Sequence, residues 1–107
     1  MKISIKGTAK LLNVNQGNIS LKYDKDIKKW FKQFNQEDDE IIYMNYRTIV
    51  KQISKLIVAK VSDYYDYPYW DEHYTTCMDF YVEGVSDTKI RKALKGKVFT
   101  IKLEVDR

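Results

Sequence analysis

The sequence predicts an α+β fold: a mostly antiparallel β-sheet with an N-terminal β-hairpin and two or three short helices. Three observations carry this expectation. Apolar and polar residues alternate near both ends of the chain, a helical period occupies residues 27–34, and turn or cap residues separate the periodic stretches. With 107 residues, 44% hydrophobic and 32% charged, one domain spanning 1–107 is expected.

In the first segment Ile3, Ile5, Gly7, Ala9 and Leu11 share one parity, and Lys2, Ser4, Lys6, Thr8 and Lys10 share the other. After the Asn/Gly-rich stretch 13–18 the odd parity resumes with Ile19, Leu21 and Tyr23. Period two on both sides of a turn reads as a hairpin with one lysine-rich, solvated face. Residues 8–20 also resemble a phage-repressor helix-turn-helix. In that reading Ala9 is the small residue at the helix crossing and Leu12, Val14 and Ile19 are buried. Gln16, Asn18 and Ser20 then face the DNA groove. Asn13 occupies the usual turn-glycine position and little chain precedes residue 5, so the hairpin is the favoured reading of 5–24.

A helix follows. Asp24 or Asp26 can cap it, and Ile27, Trp30, Phe31 and Phe34 recur at helical spacing opposite Lys28, Lys29 and Lys32. Asn35 can end it, and Glu37 to Glu40 then form a solvated loop without the spacing of a calcium site. β-branched residues recur across 41–62, although Ile49, Ile53, Leu56 and Ile57 have helical spacing. A strand near 41–46, a helix near 47–55 and a strand near 56–64 are expected. Another strand is expected at 75–84, with Met78, Phe80 and Val82 inward. Asp87 is expected to cap a short helix carrying Ile90, Ala93 and Leu94, which Gly96 stops; Lys92 and Lys95 suit its C-terminal dipole. Phe99, Ile101, Leu103 and Val105 alternate in a final strand.

The net charge of +4 conceals an asymmetry. Residues 61–88 hold seven acids and no Lys or Arg, so the rest of the chain carries +11. Such polarity concerns partners more than fold. Lys outnumbers Arg by 16 to 3, which suits phosphate attraction better than base reading.

The most unusual stretch combines Tyr64, Tyr65, Asp66, Tyr67, Tyr69, Trp70, Asp71 and Glu72 around Pro68. Stiff aromatic rings dominate binding hot spots, and the interleaved carboxylates favour a basic partner while repelling phosphate. These residues are the expected partner-binding site, in a loop between two strands. Lys2, Lys6, Lys10, Lys22, Lys28, Lys29 and Lys32 form an alternative, nucleic-acid-binding face.

No catalytic or metal-binding motif is present. Cys77 is the only cysteine, so no intramolecular disulfide is possible and a reducing compartment is the simplest expectation. His73 lies four residues before it, but the acidic surroundings would raise a thiol pKa, and the spacing matches no metal signature. Met1 to Lys6 lacks the apolar region of a signal peptide, and no apolar run is long enough to span a membrane. The expectation is a cytoplasmic, non-enzymatic protein-binding module without cofactor. Its most concrete form is a mobile-element inhibitor, such as an anti-CRISPR, that occludes a host protein's basic nucleic-acid-binding surface. The alternative is a nucleic-acid-binding protein or small transcriptional regulator.

Overall fold

The computed structural model describes residues 2–34, 41–44, 46–64 and 77–106. These form an α+β fold with a six-stranded sheet whose order is β3-β6-β1-β2-β5-β4, every neighbouring pair being antiparallel. The strands are β1 (Lys2–Asn15), β2 (Asn18–Tyr23), β3 (Ile41–Met44), β4 (Asp63–Tyr64), β5 (Cys77–Tyr81) and β6 (Phe99–Asp106). The helices are α1 (Lys25–Phe34), α2 (Tyr46–Ile57) and α3 (Asp87–Leu94).

The N-terminal hairpin is present, so the helix-turn-helix reading of 5–24 is wrong. Its turn is only Gln16-Gly17, with φ of 51° and 83°. Two consecutive positive φ values match the right-handed twist of the flanking strands. A Cβ on Gly17 would collide with the Val82 carbonyl oxygen, which makes glycine necessary there. The register skips one residue between Leu11 and Asn13, leaving Leu12 unpaired in a β-bulge. The bulge shifts the buried parity from odd to even, so Val14 is buried opposite Ile19 while Leu12 is 55% exposed. Leu12, buried in the helix-turn-helix reading, is therefore the exposed bulge residue, and Val14 and Ile19 are buried as strand residues.

One face of the sheet carries the core, and the other carries exposed lysines, although Ser20 and Cys77 are buried on it. Ile19, Leu21, Met78, Phe80, Ile101 and Leu103 are buried on the packed face, and Val82 just beyond β5 joins them as expected. Lys6, Lys10, Lys22 and Lys102 are exposed on the other. The three helices insert Ile27, Ile53 and Ile90 into the same core, each fully shielded from solvent. Each such side chain contributes roughly 1.5–3 kcal/mol through burial.

Two expectations are corrected. Residues 56–64 are not one strand: α2 continues to Ile57, and only Asp63–Tyr64 pairs with β5. Ile49, Ile53 and Ile57 recur every four residues and all are buried, so packing of one helical face outweighs their β preference. The cap of α3 is Ser86 rather than Asp87; the Lys89 N–H donates to Ser86 Oγ at 3.2 Å. Asp24 caps α1, accepting the Ile27 N–H on Oδ1 at 2.9 Å. Gly96, in a left-handed conformation, follows the end of α3. The expected Asn35 terminus and the 37–40 loop lie outside the described residues. Among the described residues no helix is long and apolar enough to cross a membrane.

Candidate partner-binding segment and lysine cleft

Of the eight residues expected to bind a partner, Tyr64 is in the described backbone, where it pairs with Phe80. Tyr65, Asp66, Tyr67, Tyr69, Trp70, Asp71 and Glu72 lie outside the described residues, as does His73. The segment they occupy connects β4 at the sheet edge to its neighbour β5, so both of its flanks belong to one antiparallel pair. Cys77, the first residue of β5, is a free cysteine and buried, and it pairs in register with Lys22 of β2.

The acidic window is chemically divided. The Ser20 hydroxyl donates to Asp79 Oδ1 at 2.6 Å across β2 and β5. Asp87 accepts the backbone N–H groups of Gln16 and Gly17. These two bonds hold the Asp87 carboxyl below its ordinary range, with the Arg91 charge a smaller cause. Two of the seven acids therefore do structural work in the folded chain. Glu83 is exposed.

The expected lysine face separates into two groups. Lys6 stands directly across from Lys102, which pairs with Glu104 at 3.0 Å; Lys2 faces Asp106 in the register. Glu104 thus balances the Lys102 charge beside Lys6. Lys10 instead stands directly across from Lys22, with no acid between them. Like charges opposite one another on a sheet are destabilising.

Lys10 and Lys22 join Lys25 and Lys28 of α1 around one open cleft of about 470 Å³, whose wall also includes Thr8, Ala9, Leu11, Tyr23 and Asp24. An adjoining hollow of about 330 Å³ extends along α1 past Lys25, Asp26, Lys28 and Lys29. Lys32 lies farther along the helix. Lys25 was missed from sequence, although it stands three residues before Lys28 and so on the same helix face.

Among the described residues, the one carboxylate in the cleft wall is already engaged. Asp24 Oδ2 accepts the Thr8 N–H at 2.6 Å and the Thr8 hydroxyl at 3.0 Å, while Oδ1 caps α1. Burial alone would raise its pKa, but the hydrogen bonds from Ile27 and Thr8 prevail and hold it below the usual carboxylate range. Burial also pushes the Tyr23 phenol well above its ordinary value, so it stays neutral beneath the cleft. Among the described residues, Lys10, Lys22, Lys25 and Lys28 take part in no ion pair.

Among the described residues no cluster of three His, Cys, Asp or Glu side chains could hold a metal. No protein family, curated protein or solved structure matches the chain.

Proposed function

We propose that the protein is a small, non-enzymatic protein-binding module. It uses the acidic, Tyr/Trp-rich segment from Tyr64 to Glu72 to occupy the basic surface of a nucleic-acid-handling partner. The observation that carries this reading is the pairing of β4 with β5. The segment 65–76, with three carboxylates and five Tyr or Trp rings, is flanked by two neighbouring strands at a sheet edge. Holding both flanks on one scaffold reduces the ordering cost of presenting such a segment to a partner. The rings supply hot-spot contact area, and the carboxylates imitate the charge of a phosphate backbone. The most concrete version is a mobile-element inhibitor, such as an anti-CRISPR, acting in the cytoplasm by occlusion.

The test is capture from a host lysate with and without nuclease. A protein partner should persist after nuclease and be lost when Tyr67, Trp70, Asp71 and Glu72 are together replaced by Ala. Undiminished capture by that variant would overturn the reading.

A further inference from the structure

We infer that the cleft between the N-terminal hairpin and α1 is a second binding site, for the phosphate backbone of nucleic acid held without sequence preference. This site is separate from the acidic segment and does not depend on that segment's role.

Two arrangements that disfavour the folded state converge there, and the nearby carboxylate offsets neither. Lys10 and Lys22 are directly opposed across β1 and β2. Lys25 and Lys28 occupy the first turn of α1, where the helix dipole is positive and cations are unfavourable. Asp24, the nearby carboxylate, directs its oxygens at the backbone and hydroxyl donors of Thr8 and Ile27 and pairs with no lysine. A bound anion relieves both the opposed lysines and the cations at the helix start. A concave wall also concentrates the field of like charges more than a flat surface does.

The row is long rather than focal. Lys6 lies on the same face of β1 as Lys10, about 13 Å away at the strand rise of ~3.3 Å per residue. Lys29 continues the row along α1 beside Asp26. An extended cationic track suits a linear polyanion better than a single phosphate. Sequence reading is not supplied: lysine lacks the bidentate fork of arginine, and the aromatic ring in the wall, Tyr23, is only 3% exposed and cannot stack on a base.

The experiment is fluorescence anisotropy with a labelled 20-base-pair duplex and a labelled 20-nucleotide single strand across a salt series, with inorganic polyphosphate as a third probe. If the four cleft lysines each neutralise one phosphate, log affinity should fall against log salt with a slope of about −3.6 on duplex or about −2.8 on single strands. Changing Lys10, Lys22, Lys25 and Lys28 together to Gln should cost at least ~10-fold in affinity at low salt and flatten the slope. Changing Lys51, Lys55, Lys89 and Lys92 to Gln alters the net charge equally on exposed positions of α2 and α3, and should leave affinity within about twofold. Equal losses in the two variants would overturn the site in favour of diffuse charge. Binding of polyphosphate alone, or no nucleic-acid binding at the lowest salt, would overturn the ligand. If the fourfold cleft variant melts early, Lys10→Gln and Lys25→Gln singly should each reduce the duplex slope by about 0.9, and unchanged slopes would count against the site.

Discussion

The carboxylate of Asp87 meets the backbone of Gly17 across 70 residues of chain, Oδ1 accepting the Gly17 N–H at 3.0 Å. Its second oxygen accepts the Gln16 N–H at 2.9 Å, and Arg91, one turn along α3, donates to the Val14 carbonyl at 2.8 Å. The Gly17 carbonyl in turn accepts the Val82 N–H at 3.0 Å. The hairpin tip is thus fastened to the start of α3 and to the end of β5. Asp87→Ala should leave two turn amides without their acceptor. The expected result is faster hydrogen exchange at Gln16 and Gly17 and a lower urea midpoint with an unchanged slope. Unaltered protection at both amides would show that solvent replaces the carboxylate without loss.

Acid should loosen the same contacts. Asp24 and Asp87 both titrate below their ordinary value of 3.8 in the folded chain. A depressed carboxylate stabilises the fold fully above its unfolded pKa, and that contribution disappears as pH falls through the lower folded value. Stability from these two groups should therefore be flat above about pH 5 and decline progressively as pH falls through and below 3.8. Chemical denaturation between about pH 5 and 2 should show a shallower acid limb for the Asp24→Asn, Asp87→Asn double variant than for the parent. Parallel acid limbs would exclude the assignment.

Val58 is a β-branched residue in a left-handed conformation, with φ of 53° and 82% of its surface exposed. It follows the last residue of α2, where the Ala59 N–H donates back to the Ser54 carbonyl at 3.1 Å. That six-to-one closure normally has glycine at the position of Val58. Because the side chain is so exposed, its removal forfeits little packing. Val58→Gly should raise stability by about 0.5–1 kcal/mol, the left-handed strain relieved less the added entropy of the unfolded chain. A lower melting temperature would contradict this account.

Gly7 lies where α1 crosses β1. A Cβ there would stand 2.7 Å from Ile27 Cδ1, closer still to Cγ1, and 3.0 Å from Asp24 Oδ2. Ile27 is fully buried, so it has little room to yield. Gly7→Ala should cost about 1–3 kcal/mol by overpacking. Ile27→Ala alone should cost about 2–5 kcal/mol. The double variant should be less destabilised than the sum, since each change makes room for the other. Strict additivity in a denaturation cycle would argue that the helix simply shifts outward.

The legible parts of this protein are those written in local spacing. Alternation around Ile3–Leu11 and Phe99–Leu103 marks strands, and Ile27 and Trp30 mark the inner face of α1. The α+β class follows from such periods because neighbours in sequence are sufficient to define them.

Tertiary structure decided what depends on distant partners. The Leu12 bulge exists because β1 must match β2, and α2 extends through Ile57 because a helix face had core to bury against. Asp87 looked like a helix cap until the hairpin tip was beside it. The lysines looked like one solvated face, but strand register sends Lys6 toward Lys102 and Glu104 while Lys10 and Lys22 meet Lys25 and Lys28 at a cleft. Local spacing indicates which side of its own element a residue occupies, except where pairing inserts a bulge, as at Leu12. Which charges share a surface is determined by strand order and helix docking, because those place together residues whose separation along the chain has no period.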